Sequence, residues 1–232
     1  MKHIDTPLRP FQFAVHQLVL QVLNGTFPPG TTLPAERLLA KELQITRPTL
    51  REALQVLATE GWFHIQHGKP TRVADYMETG SLALLSRLAA FPQWVPPTIT
   101  EHLLEVRLSI LPDIAFLAYL RNPETIFKHL DEVPNLEDET EKWTQFDWDL
   151  QLLFLKSAEN PIFKMIFNGF GDLFSQMGVL YFSNERSRKQ SYEYYQELLR
   201  AKSAEQFHTV VTKAMKASLD LWKELQIRNH RR

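Results

Sequence analysis

The sequence predicts a mainly α-helical protein made of an N-terminal winged helix-turn-helix over residues 1–74, a linker over 75–80, and a C-terminal all-α helical bundle over 81–232. Three observations predict it. Before residue 74, three helical patterns are followed by an alternating hairpin pattern. After residue 80, nearly every segment repeats its apolar residues at helical spacing, and the breaks fall on proline. A length of 232 residues exceeds what one compact winged helix needs and suits two domains.

The first helix runs from Pro10 to Val22, with Phe13, Leu18, Val19 and Val22 at helical spacing. Asn24-Gly25 and then Pro28-Pro29-Gly30 end it in a turn. In LPAERLLAKELQI, Pro34 suits the first helical position and Glu36 suits the positive end of the helix, while Leu38, Leu39 and Leu43 are expected to face a core. After a turn at Gln44 and Ile45, Thr46 caps a third helix that runs to about Glu60, with Leu50, Ala53, Leu54 and Leu57 inward and Gly61 closing it. Trp62 to Gln66 then alternates like a strand, His67-Gly68-Lys69-Pro70 forms a turn, and Thr71-Arg72-Val73 pairs back. Three helices and a hairpin, in that order, make a winged helix-turn-helix.

In the second part, helices are predicted over 81–91, 99–121, 123–131, 143–158, 161–182, 187–202 and 204–226. Breakers separate them: three prolines between 92 and 98, Asn122-Pro123, Pro134-Asn135 and Asn160-Pro161. The stretch from Asp131 to Glu141 holds six acids and is expected to be a solvated loop or helix end.

Composition narrows the class further. A hydrophobic share of 44% with dispersed charge is that of an ordinary globular protein, and no apolar run is long enough to span a bilayer. The N-terminal MKHIDTPLRP has no apolar signal stretch, so a cytoplasmic protein with no membrane partner is expected. The absence of cysteine excludes disulfides, thiolate zinc sites and thiol catalysis. The net charge of −1 divides unevenly, because residues 1–74 carry eight Lys or Arg against five acids and the remainder is therefore at −4. A positive N-terminal third on an acidic remainder suits contact with phosphate through one end.

In a helix-turn-helix the second helix of the pair enters the major groove and presents its N-terminal residues to base edges. Thr46-Arg47-Pro48-Thr49-Leu50-Arg51 fill that position. Arg47 and Arg51 are four apart and share a face, while the leucines take the other. The planar fork of arginine matches the two acceptors of guanine, and the hydroxyls of Thr46 and Thr49 bond bases or phosphates. Arg37, near the start of the preceding helix, is placed to hold backbone phosphate. His67, Gly68 and Lys69 at the hairpin tip reach the flanking groove, with glycine permitting close approach. Double-stranded DNA is thus the expected macromolecular partner.

The stretch FPPGTTLPAERLLAKELQITRPTLREALQVLATEGWFHIQHGKPTRV resembles the DNA-binding domain of the GntR family of bacterial transcription regulators. Its PAER segment, TR-TLRE recognition helix, L-x-x-G helix end and wing carry the resemblance. The wing QHGKPTRV, followed by ETGSLALLSRLA, LLEVR, SAENPIF, NGFGDLF and YFSNERSR, resembles the FadR branch of that family over nearly the whole chain. The resemblance implies a homodimer that reads a palindromic operator of fatty acid metabolism, with Arg37, Thr46, Arg47, Thr49, Arg51, His67, Gly68 and Lys69 as DNA contacts. Pro48 stands where that branch has a threonine, which removes one hydroxyl contact.

The same resemblance bears on the effector. Regulators of the family that respond to small carboxylates often hold a metal with one Asp and three His. Asp147 matches the acid, but the next positions fall on Gln151, near Tyr195 and near Ala214, so no protein-bound metal or other resident cofactor is expected. His102 and His208 lie in the interior of predicted helices of this domain, and each is expected to be a surface or a satisfied, partly buried residue. Periodicity supplies an apolar stripe instead: Phe163, Phe167, Phe170, Phe174, Met177 and Tyr181 recur at spacings of three and four, a pattern that suits either plain core or a ligand cavity.

The FadR branch binds long-chain acyl-coenzyme A, which implies that thioester as the small-molecule effector and an apolar cavity for its chain. Carried over by position, Arg107 serves the phosphates of coenzyme A, Ser218 and Trp222 take part in the response to inducer, and Tyr181 and Phe182 line the cavity with Phe163, Phe167 and Phe174. Met215 stands where the branch has glycine, which narrows the cavity, and Ile227, beside Arg228, replaces a lysine. Three other readings remain open from the sequence: a regulator that answers another metabolite such as an organic acid, an acyl-thioester hydrolase, and a DNA-binding protein without a ligand. No catalytic motif is present, and Asn168-Gly169-Phe170-Gly171 lies within a predicted helix, so an enzyme is not expected. Whether regulation represses, activates or does both is open.

Overall fold

The computed structural model describes residues 9–229 and divides the chain into two compact units, one ending at Trp94 and one starting at Val95. In the first unit, α1 (Pro10–Leu23), α2 (Glu36–Glu42) and α3 (Arg47–Glu60) precede β1 (Phe63–His64) and β2 (Arg72–Val73). The strands pair antiparallel, Phe63 with Val73 and His64 with Arg72. A third extended segment joins them and has no signal in the sequence: Thr32 bridges Arg72, and the Leu33 amide donates to the Thr71 carbonyl at 2.9 Å. The core is formed by Leu18, Val19, Leu39, Leu50, Leu57, Trp62 and Phe63.

Two expectations for α2 need correction. The helix starts at Glu36 with Ala35 as its cap, so Pro34 belongs to the lead-in that pairs with the wing. Of the three leucines expected to face the core, Leu39 and Leu43 do so, and Leu38 is 51% exposed. The third helix follows expectation closely, since Thr46 Oγ1 accepts from the Thr49 amide at 3.3 Å and Gly61 ends the helix at φ +99°. Gly61 is required twice over, because a Cβ there would also collide with the Thr79 carbonyl.

The predicted linker, 75–80, holds a short helix, α4 (Tyr76–Thr79), and is fixed to the end of α3. Thr79 Oγ1 donates to the Gly61 carbonyl at 2.8 Å, and the Tyr76 ring stacks on Trp62. The next helix, α5 (Leu82–Ala89), was expected in the second domain but packs with the first. Its Arg87 donates to buried Glu60 from both Nε and Nη2, at 3.1 and 2.5 Å, and Glu60 also accepts from Trp62 Nε1 at 3.2 Å. Desolvating Glu60 is offset by these charge-assisted bonds, a long-range pairing that local periodicity cannot reveal.

The second unit is all helical: α6 (Pro97–Arg121), α7 (Pro123–Leu130), α8 (Thr140–Ser157), α9 (Pro161–Asn168), α10 (Gly171–Phe182), α11 (Glu185–Arg200) and α12 (Ala204–Asn229). The two longest, α6 and α12, lie along each other, and α8 packs on α6 and α10. Leu111, Ile114, Trp143, Leu150, Phe154, Tyr195, Phe207 and Val211 form the core. The single helix predicted over 161–182 is in fact two, with Gly169-Phe170 between α9 and α10. Two glycines so close together lower helix propensity, and the Phe167 and Phe170 rings meet edge to face at 5.5 Å across the break. The six-acid stretch is loop up to Thr140, as expected, with the Asn135 amide held by the Asp138 carboxylate at 2.8 Å.

Candidate functional site

At the head of α3 the structure gathers the basic residues singled out in the sequence. Arg37, Arg47, Arg51 and Lys69 line one hollow between α2, the start of α3 and the wing. All four are exposed. Thr46 and Thr49 share a hydroxyl hydrogen bond of 2.8 Å beside it. His67 and Gly68 are exposed at the wing tip, and Gly68 has φ +72° with open space where a Cβ would sit. Sequence reasoning missed the part played by Glu36: its Oε2 accepts from Arg51 Nε at 2.7 Å and lies 3.9 Å from Arg47 Nη2. Glu36 and Arg51 are fifteen residues apart on different helices, so only the turn between those helices brings them together.

The second unit contains two small neighbouring chambers, of about 70 and 60 Å³, that share Thr100, Leu104, Arg107, Phe174 and Met177 in their walls. By this measure the larger holds roughly five water-sized positions. Of the predicted effector residues, Arg107, Phe174, Tyr181, Phe182, Ser218 and Trp222 line the larger chamber and Phe167 lines the smaller. Phe163 lines neither; it lies near the start of α9, one turn before Phe167, and packs partly buried against the core. Met215 lines the larger chamber, which puts its bulk where the resemblance places a narrowing. The side chains of Ile227 and Arg228 lie outside the described residues.

Arg107 sits in the wall between the chambers. Its side chain is largely buried, with Nη2 at 3.5 Å from Asp147 Oδ2 and the guanidinium 5.7 Å from the centre of the Phe174 ring. Asp147 also accepts from Tyr195 Oη at 2.8 Å and from Gln151 Nε2 at 2.8 Å. The positions that the metal-binding pattern assigns to ligands, Asp147, Gln151 and Tyr195, therefore meet in space but bond to one another. His102 is exposed, and His208 is paired with Asp113 at 3.2 Å. Among the described residues no cluster of His, Asp and Glu is arranged to hold a metal.

The electrostatics of the larger chamber are set by burial. Burial pushes the Tyr181 phenol up to about 12, an effect that Asp147 adds to and Arg107 opposes. Tyr194 and Tyr195 are raised by burial in the same way, and Asp147 reinforces it. All three phenols therefore stay neutral donors at any physiological pH. Three buried polar atoms in the chamber walls have no hydrogen-bond partner: Arg107 Nε, Gln151 Oε1 and Trp222 Nε1. Ser218 Oγ donates to carbonyls of its own helix.

Residues 11–73 match "Bacterial regulatory proteins, gntR family" and residues 74–230 match "FadR C-terminal domain". The chain is similar to the "Fatty acid metabolism regulator protein" of Shewanella amazonensis, 41% identical over 82% of this chain and 79% of that one. It is also similar to the proteins so named in Serratia proteamaculans, 36% identical over 94% and 92%, and Erwinia tasmaniensis, 34% identical over 94% and 93%. Among solved structures it resembles one titled "Lar controls the expression of the Listeria monocytogenes agr system and mediates virulence", at a TM-score of 0.61 and 20% identity, covering 95% of this chain and all of that one, which is a likeness of fold.

Proposed function

The chain belongs to the FadR branch of the GntR family, a group of DNA-binding transcription regulators of fatty acid metabolism and not of enzymes, and from that premise we propose a switch in which a long-chain acyl-coenzyme A releases the protein from a palindromic operator. Arg47 and Arg51 read guanine in the major groove, with Thr46 and Thr49 beside them. Arg37 and Lys69 hold phosphate, and His67 and Gly68 enter the flanking groove. A cytoplasmic homodimer presents two such heads to two half-sites, since a two-fold protein matches a two-fold operator. The observation that supports this half of the reading is the hollow lined by four cations at the head of α3.

The effector occupies the chambers of the helical domain: the larger carries Thr100, Arg107, Asp147, Gln190, Ser191 and Ser218 between apolar walls, and the smaller is almost wholly apolar, as an acyl chain requires. Their size suits a closed state that must widen to admit a chain. A ligand that fits the widened state better shifts the population toward it, and if that state spaces the two recognition helices wrongly for the operator, DNA is released. No helix among the described residues is long and apolar enough to cross a membrane.

Fluorescence anisotropy on a labelled operator of the kind bound by the relatives above, with and without oleoyl-coenzyme A, tests the reading. Release at saturating ligand is the expected result. Retention of DNA, with release by a small organic acid instead, would transfer the same switch to the other metabolite class.

A further inference from the structure

Pro48 is exposed at the second residue of α3, between Arg47 and Thr49 and one turn before Arg51. Leu50, Ala53, Leu54 and Leu57 hold the opposite face of the helix against the core. A proline starts a helix well, because the second amide of a helix has no partner within it and the fixed φ of the ring suits the first turn. That accounts for the backbone and not for the display of an apolar ring among two guanidinium groups and two hydroxyls. The ring also alters what the helix end can bind. Pro48 has no N–H, and the Thr49 amide is taken by Thr46 Oγ1 at 3.3 Å, so the first turn has little backbone to offer a phosphate. Recognition at this end is therefore left to the side chains.

Resting on the reading in which the head of α3 enters the major groove, we propose that Pro48 is a specificity-determining residue that selects thymine beside the guanines read by Arg47 and Arg51. The major groove displays donors or acceptors on every base pair and one apolar group, the C5 methyl of thymine. A pyrrolidine ring neither donates nor accepts. Against the methyl it buries carbon on carbon. Against the edge of adenine, guanine or cytosine it strips water from a polar atom and returns no hydrogen bond. Discrimination thus comes from both sides, a gain with thymine and a loss with the other bases. The ring is also stiff, so burying the methyl is not offset by ordering a long side chain.

Affinity selection by the full chain from a randomised duplex pool supplies the operator. Each thymine in it is then replaced singly by deoxyuridine, which removes the methyl and nothing else. Fluorescence anisotropy at one fixed salt concentration compares these duplexes on the wild-type protein and on Pro48→Ser. Replacing one particular thymine of a half-site is expected to weaken the wild-type protein about fourfold, the worth of one buried methyl, and Pro48→Ser by less than about 1.5-fold. No sensitive thymine in the wild-type protein, or equal sensitivity in the two proteins, overturns the assignment to Pro48 and leaves the operator reading standing. A pool from which the wild-type protein enriches no sequence overturns the operator reading and the assignment with it. If circular dichroism shows that Pro48→Ser is unfolded, Pro48→Asn carries the same comparison with the same expected loss.

Discussion

Glu36 Oε2 meets Arg51 at Nε, 2.7 Å away, and so engages the inner edge of the guanidinium. In the proposed DNA contact an acid beside Arg51 opposes phosphate, so its place there needs a reason beyond affinity. Fixing Nε fixes the plane of the fork, and a planar fork is what matches the guanine edge. On the proposed DNA reading Glu36 is thus a positioning residue for Arg51, and the same oxygen lies 3.9 Å from Arg47 Nη2.

The first prediction follows from that pair. Glu36→Ala is expected to lower the ratio of operator to random-DNA affinity by about tenfold, the lower part of the range for a misplaced bidentate contact, while affinity for random DNA rises slightly. Competition anisotropy with both duplexes measures it. An unchanged ratio would mean that Arg51 orients itself without Glu36.

Lys69 has a different proposed role, since it closes the wing turn with its amide on the Gln66 carbonyl, lines the cation-lined hollow and has no base-matching fork. Lys69→Ala is expected to weaken all duplexes alike and to reduce the slope of log affinity against log salt by about 0.9, the value for one phosphate contact. A sequence-selective loss, or an unaltered slope, would remove Lys69 from the phosphate contacts.

Gly61 links α3 to the wing at φ +99°, where a Cβ would meet the Thr79 carbonyl. Gly61→Ala is expected to destabilise the first unit by about 1–3 kcal/mol from backbone strain alone, with more if the α4 segment is displaced. Urea denaturation followed by far-ultraviolet circular dichroism checks this. A midpoint equal to that of the parent protein would contradict the packing described at the end of α3.

His16 packs edge-on against Phe91 in the first unit, and its pKa is held below the ordinary histidine value, first by burial and then by the charge of Arg87. With a lower folded than unfolded pKa, the unfolded chain binds the extra proton first. Stability is therefore full above the ordinary value near 6.5 and falls as pH drops through 6.5 toward the folded pKa. Thermal melts between pH 7.5 and about 5 are expected to show that acid-side loss, and His16→Phe to flatten it.

The predictions in the first unit rest on features that differ in how well the sequence displays them. The head of α3 was legible because helix-turn-helix order is local: a cap at Thr46, arginines four apart and a terminal glycine at 61 are each set within a few residues. Glu36 against Arg51, and Glu60 against Arg87, were not legible, because each joins helices whose approach is fixed by tertiary packing. The latter pair also explains why α5 packs with the first unit when its periodicity alone suits a bundle.

In the helical unit the spacing predicts one aromatic line from Phe163 to Tyr181, and the break at Gly169-Phe170 divides it; Phe163 lines neither chamber although Phe167 on the same helix lines the smaller. Repeat spacing cannot register a break whose cause is a pair of glycines and a ring-on-ring contact. Asp147, Gln151 and Tyr195 were brought together by resemblance, and the structure adds their geometry. Trp222 Nε1 had no sequence signal as an unpaired donor, since lacking a partner is a property of three-dimensional surroundings.

The reciprocity of the switch offers its most direct test. If oleoyl-coenzyme A and operator DNA favour different states, each must weaken the other by the same factor. Calorimetric titration of oleoyl-coenzyme A into the free protein, and then into protein saturated with operator, measures that factor from the ligand side. The account predicts weaker ligand binding in the presence of operator, by the same ratio that saturating ligand imposes on operator affinity. Equal ligand affinity with and without operator would contradict it.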